Sequence, residues 1–220
     1  MNNRLFAVGD IHGCFDSLKE LVKNKIQLQK DDKLILLGDY IDRGDKSKEV
    51  VDLIIEMLEN GYDVVTLMGN HEAMLIDAFE DKKNISKWIQ NGGNETLKSF
   101  DVHSLEDIDY KYIEFFKGLR YFYSFESFLF VHAGFNDNLL NPFSDFYSML
   151  WKCKETYSNP FLSDKTIVHG HNPVRVAICE ESVLAKHSVI NIDTGCVYKN
   201  SEGYGRLTAY DCNYQKIMFV

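Results

Sequence analysis

Short runs of metal-binding and acid–base residues recur along this 220-residue chain. Three of them are GDIHG at 9–13, GDYIDRG at 38–44 and GNHE at 69–72, and two more histidines, His132 and His171, follow later. Aspartate, histidine and asparagine together suit a borderline or fairly hard divalent metal such as manganese, iron or zinc, and not one that prefers thiolates. Two such ions side by side clamp the attacking and leaving oxygens of a displacement, which suits hydrolysis of a phosphoryl group.

Each of these residues also has a purely structural interpretation. A lone aspartate or asparagine after a strand usually caps a helix or forms a turn, and a lone histidine there is usually a hydrogen-bonded polar group. Several metal-competent residues nevertheless share one position, just after an apolar run, where the strands of an α/β sheet end and ligands bind. Their coincidence favours a metal site over six separate structural roles: Asp10, His12, Asp39, Asn70, His132 and His171.

The elements that would position these residues are three strands followed by helices. Apolar runs at 5–8, 33–37 and 64–68 predict strands, and apolar residues at helical spacing follow the first two. The rhythm of strand, polar turn and helix repeats about every thirty residues, the length of a βαβ unit. A parallel sheet with its three polar turns at one edge is therefore expected.

The second half of the chain changes in character. Periodicity is helical from residue 73 to about 118, with an interruption at 91–94. Aromatic strands are predicted at 121–125 and 128–131, and further strands at 166–168, 189–192, 205–210 and 217–220. Helices in the first part of the chain and paired strands in the second part predict two packed sheets with helices outside. We expect these elements to form a single domain that spans residues 1–220.

Composition narrows the classes of function. A hydrophobic content of 45% suits a globular α/β protein, and a formal charge of -9 offers no general basic surface for nucleic acid. The first residues contain too short an apolar run for a signal peptide or a membrane span. Five cysteines without clustered spacing argue against a disulfide framework. A cytoplasmic protein without a nucleic-acid or membrane partner is expected.

At this point the motifs resemble those of a known family. GDIHG, GDYIDRG and GNHE, followed by HAG at 132–134 and GH at 170–171, are similar in type and order to the signature set of the phosphoprotein phosphatases, which are calcineurin-like metallophosphoesterases. The resemblance covers roughly residues 5 to 173, and IDTG at 192–195 resembles a late turn of bacterial members. In its overall size and short connections the chain most resembles the bacterial and bacteriophage-lambda-type serine/threonine phosphatases. The implied fold is an α/β/β/α sandwich, two packed β-sheets flanked by helices.

The resemblance also implies ligands for two divalent metal ions, with manganese expected first and iron or zinc as alternatives. One set of residues would hold the first ion: Asp10, His12 and Asp39. A second set, which shares one aspartate with the first, would hold the other ion: Asp39, Asn70, His132 and His171. His171 is preferred to the nearby His169 as the ligand in its segment.

The same resemblance assigns the catalytic roles. His71 would be the general acid that protonates the leaving oxygen, and Asp42 would orient it and favour its charged form. Arg43 would grip the phosphoryl oxygens, because a planar guanidinium can donate two hydrogen bonds at once. A hydroxide bridging the two metals would be the nucleophile, so that no phosphoenzyme forms and Cys14 has no catalytic role.

The chain departs from the family pattern in two places. Met68 precedes GNHE where the family often has arginine, and no arginine lies in the segment 151–155. Lys152 or Lys154 would then be a substitute for a second phosphate-binding arginine or merely a surface lysine. Glu72 is expected to support the helix start and not to bind metal. Trp88 and the glycines 92–93 are expected in the core or at the edge of the cleft.

Three functions follow from these residues. The first is a metal-dependent phosphomonoesterase acting on phosphoserine or phosphothreonine, with phosphotyrosine as a further substrate, in a phosphorylated protein or peptide. The alternative is a symmetrical dinucleoside-polyphosphate hydrolase acting on diadenosine tetraphosphate, although such enzymes tend to lack a counterpart of Asp42. The third is a non-catalytic scaffold, which would be expected to have lost ligands or the acid. Oligomeric state stays open.

Overall fold

The structure is a computed structural model that describes residues 4–220. Nine strands lie in this part of the chain and form two sheets. In chain order they are Leu5–Val8 (β1), Lys33–Leu36 (β2), Asp63–Thr66 (β3), Phe122–Phe125 (β4), Phe128–Val131 (β5), Thr166–His169 (β6), Val189–Asn191 (β7), Thr208–Asp211 (β8) and Lys216–Phe219 (β9).

The α-helices of the described residues fall mainly between β1 and β4. They are Phe15–Glu20 (α1), Ser47–Glu59 (α2), Asn70–Glu80 (α3), Ile85–Trp88 (α4), Asn94–Ser99 (α5), Tyr110–Lys117 (α6), Phe146–Trp151 (α7) and Val176–Leu184 (α8). A π-helical turn, Leu21–Ile26, extends α1, and another, Ile89–Gly93, joins α4 to α5. None of the helices between residues 4 and 220 has the length and apolar character needed to cross a bilayer.

The first sheet has the order β3-β2-β1-β8-β9. The strands β1, β2 and β3 are parallel to one another, as the repeating strand–helix rhythm predicts. Strand β8 is antiparallel to β1, and β9 is antiparallel to β8. The second sheet has the order β4-β5-β6-β7, in which β5, β6 and β7 are parallel and β4 is antiparallel to β5. Parallel strands end on the same side, so that five polar turns meet at one edge of the two sheets.

Alternation along the strands builds the layers. In β1 and β2, one set of alternate side chains packs with residues of helices α1, α2, α3 and α6 on the outer face: Phe6, Val8, Leu34 and Leu36. The opposite set faces the second sheet and meets Phe128 and Phe130: Leu5, Ala7, Ile35 and Leu37. The outer face of the second sheet is covered by a thin layer that includes Phe135, Met149 and Leu162. The predicted α/β/β/α sandwich is confirmed.

Most predicted strands agree with the structure to within one or two residues, but β8 starts later than expected. Gly205 donates its N–H to Gly195 across a turn, so that pairing with β1 begins only near Thr208. Two helices lie where none was predicted. α7 is a short six-residue helix that begins where the Asp145 side chain accepts the N–H of Ser148, and α8 is rich in residues that also suit strands.

Candidate active site

The turns after β1, β2, β3, β5 and β6 bring the six predicted metal ligands to one edge of the sandwich. Five of these side chains are buried, and His171 is partly exposed. The β3 turn can approach the β2 turn so closely because residue 69 is glycine: a Cβ there would lie 2.1 Å from an Asp39 carboxylate oxygen. The glycine of GNHE is therefore a requirement of packing at this edge.

One group of ligand atoms converges around Asn70. Its Oδ1 lies 2.9 Å from His132 Nε2 and 2.9 Å from His171 Nδ1, and these two nitrogens are 3.2 Å apart. His132 Nε2 is also 3.6 Å from Asp39 Oδ1. The structure thus assembles all four residues predicted for the second metal. His169 is buried but binds the carbonyl of Gly170 and lies outside this group.

A second group shares the Asp39 carboxylate with the first. His12 Nε2 lies 3.4 Å from Asp39 Oδ2, and His71 Nε2 lies 4.0 Å from the same oxygen. These three residues form one compact set of metal-competent atoms, and Asp39, His132 and His171 form another. Asp39 is positioned to serve both sets, which is the role of a bridging carboxylate. Burial raises the pKa of Asp39, but the three nearby histidines outweigh it and leave that pKa lowered.

The tautomers of two histidines are fixed by backbone carbonyls. His12 Nδ1 lies 2.9 Å from the carbonyl oxygen of Ile41, and His132 Nδ1 lies 3.1 Å from that of Leu37. A carbonyl only accepts, so each Nδ1 must carry the proton, and each Nε2 presents a lone pair to the site. Burial lowers the pKa of His12 to about 3 and that of His171 to about 4, which keeps these imidazoles neutral and able to bind metal.

Asp10 is held beside His171 by a backbone N–H and lies near another acid, Asp193. Both of its carboxylate oxygens accept the N–H of His171, at 3.1 and 3.2 Å. Burial, Asp193 and Asp39 raise the pKa of Asp10 well above its usual range, and burial raises the pKa of Asp193 to about 7. Sequence reasoning missed Asp193. Its only signal was its place in the turn 192–195, which resembles a family segment.

The donor set fits a pair of divalent cations. Two buried carboxylates, three neutral imidazoles and an amide oxygen lie together at this edge, and the lone pairs of His12 and His132 point inward. Arg43 places a positive charge beside this set, with its Nη1 2.8 Å from His12 Nε2. Oxygen and imidazole ligands of this kind suit manganese, iron or zinc.

His71 and Asp42 form a buried pair next to these ligands. His71 Nδ1 lies 2.7 Å from Asp42 Oδ2. Trp88 donates its indole N–H to both oxygens of Asp42 at 3.1 Å, and the Thr96 hydroxyl donates to Oδ1 at 2.6 Å. His71 Nε2 is buried and has no hydrogen-bond partner among residues 4–220. A proton on that nitrogen therefore faces the metal ligands and has no hydrogen-bond acceptor among the described residues.

The charges around His71 favour its protonated form. Burial lowers the pKa of His71, but Asp39 and the hydrogen-bonded Asp42 outweigh burial and raise it. Burial also raises the pKa of Asp42 itself, whereas His71 and Thr96 lower it. We take Asp42 as ionised, because three donors point at its two oxygens. The pair is thus a charged imidazolium held by a carboxylate, as a general acid requires.

Arg43 is half-buried at the mouth of the site, next to His12. Its backbone lies against the interruption of the helical region, where its N–H is 3.4 Å from the carbonyl of Gly92. A Cβ at position 92 would lie 2.7 Å from the Arg43 nitrogen, so that only glycine allows this approach. Gly93 packs against the ring of Trp88 in the same way. These glycines hold the loop that carries Asp42 and Arg43.

Glu72 organises the turns through hydrogen bonds to the backbone. Its two carboxylate oxygens accept four backbone N–H groups, those of Gly69, Asp39, Tyr40 and Ile41, at 2.7 to 3.3 Å. Four donors fill the roughly four lone-pair sites of a carboxylate. The bond from Gly69 belongs to the first turn of α3, and the other three fasten the loop that carries Asp39 and Asp42.

We expect Glu72→Gln to destabilise the protein strongly. The amide NH₂ of glutamine would face two buried N–H groups, and each lost acceptor costs about 1–3 kcal/mol, or roughly 2–6 kcal/mol in total. Thermal unfolding should show a melting temperature lower by at least about 4 °C. Glu56→Gln, at an exposed position in α2, is the control and should melt like the wild type. An unchanged melting temperature for Glu72→Gln would contradict the role given to this carboxylate.

The loops of the site use left-handed backbone conformations. Ten non-glycine residues between 4 and 220 have positive φ, and half of them are candidate site residues: His12, Asp39, Asp42, Arg43 and His171. Positive φ is unfavourable for residues with a Cβ, and such residues cluster at functional sites. The turns that Glu72 and the glycines hold in place are therefore among the strained parts of the described chain.

The two candidate substitutes for a second phosphate-binding arginine differ in their surroundings. Lys154 pairs with Asp137 at 2.7 Å, which also accepts the N–H groups of Ser158 and Asn159. Lys152 is exposed and forms no ion pair with the residues described here, and its Nζ lies over the ring of Tyr147. Lys152 is thus the one of the two that remains available to an anion.

With the fold and the site in place, the chain can be compared with known proteins. Residues 4–212 match the family model described as calcineurin-like phosphoesterase. A relative in Oceanobacillus iheyensis, the asymmetrical bis(5'-nucleosyl)-tetraphosphatase PrpE, is 26% identical over 94% of this chain and 88% of its own length. Serine/threonine-protein phosphatase 2 of Escherichia coli is 35% identical, but over 48% of this chain and 45% of its own length.

Solved structures agree on the fold. A protein serine/threonine phosphatase from Saccharomyces cerevisiae superposes with a TM-score of 0.70 at 15% identity, covering 100% of this chain and 79% of the other. The resemblance seen in the strand-end motifs is thereby confirmed at the level of the family. The chain belongs to the calcineurin-like phosphoesterases, and it carries that family's metal-dependent hydrolase chemistry on the turns of a two-sheet sandwich.

Proposed function

We propose that this protein is a metal-dependent phosphomonoesterase whose substrates are phosphorylated serine, threonine or tyrosine side chains of proteins or peptides. The observation that carries the proposal is the buried His71–Asp42 pair, whose free Nε2 faces the shared Asp39 carboxylate. An acid at that position matters most when the leaving oxygen is strongly basic. The alkoxide of a serine or threonine is such a group, and it departs far more easily once protonated.

Two divalent cations would occupy this site, one held by Asp10, His12 and Asp39 and the other by Asp39, Asn70, His132 and His171. When bound, they supply positive charge for the phosphoryl oxygens and increase the acidity of water. His71 is grouped with His12 and Asp39 by distance, but we assign it to proton transfer because Asp42 holds its other nitrogen. The donor set accepts manganese, iron or zinc.

The protein's own groups position the ester. Arg43 lies beside His12 at the edge of the group formed by His12 and Asp39, and it can turn its planar guanidinium to two phosphoryl oxygens at once. His71 holds a proton at Nε2 and delivers it to the leaving oxygen, while Asp42, Trp88 and Thr96 keep the ring oriented and charged. The hydroxyl product then carries the proton that His71 has lost.

Hydrolysis of dinucleoside tetraphosphates is a second candidate, favoured by one comparison. The PrpE relative is named for this activity in its asymmetrical form and aligns along almost the whole chain, whereas the named protein phosphatase aligns over about half of it. A phosphate leaving group is much less basic than an alkoxide and has little need of an acid. The intact His71–Asp42 pair therefore ranks phosphomonoesters first.

The test is a comparison of initial rates after the protein has been stripped with a chelator and reloaded with Mn²⁺. A phosphoserine peptide and diadenosine tetraphosphate are offered at matched concentrations. Faster release of phosphate from the peptide supports the proposal, and a clear preference for the dinucleotide contradicts it in favour of the second candidate. Silence on both substrates with two metals bound would contradict both candidates and point to phosphodiesters, polyphosphates or the non-catalytic scaffold.

The pH dependence of turnover should move when Asp42 is replaced. His71 must be protonated to donate, so activity falls as the pH rises through its pKa. Asp42 helps to raise that pKa, and Asp42→Asn should shift the alkaline limb of the kcat profile to lower pH. Rates on a phosphoserine peptide between pH 5 and 10 with saturating Mn²⁺ measure the shift. Asp45→Asn, an exposed neighbour in the same loop, is the control. A limb that stays in place would refute the coupling.

A further inference from the structure

A cleft of about 560 Å³ lies along helix α8, beside the edge strand β7 of the second sheet. Helix α8 lines it with Ile178 and Glu181, and β7 lines it with Val189. The turn after β6 contributes Asn172, and residues 153–155, which follow α7, complete the lining. We call this feature the α8 cleft, and no residue of it belongs to the predicted metal site.

One end of the α8 cleft reaches the metal ligands. Asn172 directly follows His171, and Cys153, which also lines the cleft, lies with its Sγ 3.7 Å from the carbonyl oxygen of Gly170. Strands β6 and β7 are parallel, so that α8 between them starts at the metal edge and runs toward the opposite edge. A peptide whose phosphorylated residue sits among the ligands can therefore pass over Asn172 and place a side chain a few residues away in the cleft.

Part of the cleft is apolar and open to solvent. Ile178 is 52% exposed, and Val174 is half-buried. The side chains by which α8 packs on the sheets are Cys179 and Val183, so that packing of the helix does not account for Ile178. The methylene stem of a long charged side chain covers apolar surface of this kind while its charged end stays in water.

The unpaired charges of the cleft point to the nature of its ligand. Glu155 and Glu181 are both exposed, and neither forms an ion pair with any residue between 4 and 220. Lys154, the lysine of the lining, is paired with Asp137 at 2.7 Å. Two free carboxylates beside apolar side chains suit a cation at the end of an aliphatic stem, which is the chemistry of a lysine or arginine side chain.

We propose that the α8 cleft binds a lysine or arginine side chain of the substrate, a few residues from the phosphorylated one. Glu155 and Glu181 attract the charge of that side chain, and Ile178 packs against its stem. These residues determine specificity and take no part in the chemical step. The inference rests on the proposed action on phosphorylated proteins and deepens it, because it names basic phosphopeptides as the preferred substrates.

A series of phosphoserine peptides with one arginine at successive positions on either side of the phosphoserine, in a background of alanine and glycine, tests the cleft. We measure kcat/KM with the Mn²⁺-loaded enzyme. One or two neighbouring positions should exceed the arginine-free peptide by about 2- to 10-fold, the contribution of two exposed ion pairs. The gain should shrink when the salt concentration rises from about 0.1 to 1 M, because salt screens exposed charges.

Variants locate the effect. The double variant Glu155→Gln with Glu181→Gln should bring the ratio of kcat/KM between the arginine peptide and the arginine-free peptide close to one. Glu181→Lys should reverse the preference, so that glutamate at the same peptide position becomes better than arginine. Glu180→Gln is the matched control, because Glu180 is exposed on the same helix but does not line the cleft. It removes the same charge from the protein and should keep the ratio of the wild type.

The outcomes separate this inference from the proposed function. A series without any gain from arginine, or a gain that survives the double variant, would overturn the α8 cleft even if the enzyme hydrolyses phosphopeptides. If no peptide is hydrolysed, peptides with a methylene phosphonate in place of the phosphoserine ester are bound to the enzyme and measured by fluorescence anisotropy. Tighter binding of the arginine peptide, lost in the double variant, would then uphold the cleft and overturn the proposed function, and equal binding would overturn both. Melting temperatures show that each variant is folded when it is measured.

Discussion

Replacing Asp39 with asparagine is expected to remove both metals and, with them, the activity. The Asp39 carboxylate faces His132 with one oxygen and His12 with the other, so the loss of its charge weakens both groups of ligands. Turnover should fall by more than the roughly 10²- to 10³-fold that the loss of one stabilising donor costs. The side chain is otherwise well matched, because asparagine tolerates the left-handed backbone at this position.

Metal analysis by mass spectrometry of the purified variant, next to rates on a phosphoserine peptide, measures this effect. We expect about two manganese ions per wild-type chain and fewer than one in Asp39→Asn, as two sites sharing one ligand require. Asp45→Asn removes an exposed carboxylate from the same loop and should keep metal and activity. A variant that lost one ion and kept the other would show that Asp39 does not bridge the two sites.

Replacing His71 with asparagine should cost activity without costing metal. A general acid typically contributes about 10²–10⁴-fold to the rate, and turnover on a phosphoserine peptide should fall by that factor. The loss should be much smaller with para-nitrophenyl phosphate, because its leaving group is a weak base that departs without a proton. Such dependence on the leaving group distinguishes a proton donor from a residue that only supports the fold.

The metal content of His71→Asn decides between the two roles that geometry allows. His71 Nε2 lies 4.0 Å from Asp39 and could join His12 around a cation, whereas its Nδ1 is committed to Asp42. Two ions bound per chain would support the acid, and the loss of an ion would show that His71 is a ligand. His103→Asn, on the exposed surface, should change neither metal nor rate.

Much of the site was predictable because its residues follow strands. Asp10, Asp39, Asn70, His132 and His171 each come shortly after an apolar run, and parallel strands must end on the same side. The pattern along the chain therefore implied their meeting in space. It did not imply which atoms face each other: that the Asp39 oxygens divide between two groups emerges only from the folded turns.

The residues that support Asp42 could not be predicted from the sequence, for a different reason. Trp88 and Thr96 reach Asp42 from helices α4 and α5, about fifty residues away along the chain. Nothing in their local pattern distinguishes them from core and surface residues of a helix. The sequence placed Trp88 in the core or at the cleft, and the structure shows a buried ring that donates to Asp42 of the His71–Asp42 pair.

Helix α8 and strand β8 show where local sequence preference no longer determines the structure. Val176–Leu184 combines valine and isoleucine with two glutamates and lacks a clear apolar stripe, so its periodicity gives little indication of a helix. Its packing against β7 and β9 decides its conformation, with Cys179 and Val183 facing the space between the sheets. Similarly, the pairing of β8 with β1 joins residues some two hundred positions apart, which no local pattern encodes.

The residues with left-handed backbone conformations fall into two groups that differ in how they could be used to raise the melting temperature of the protein. Glycine relieves the roughly 1–2 kcal/mol that a side chain costs in this conformation. Five of the positive-φ residues lie outside the site, and replacing them with glycine would remove no candidate site residue: Gln27, Asp101, Glu126, Lys186 and Gln215. At His12, Asp39, Asp42, Arg43 and His171 the same replacement would remove a side chain that we propose as a metal ligand or a catalytic group. At these five residues a substitution that raises stability is therefore expected to lower turnover. A directed-evolution experiment that selects for stability alone would favour variants without enzymatic activity.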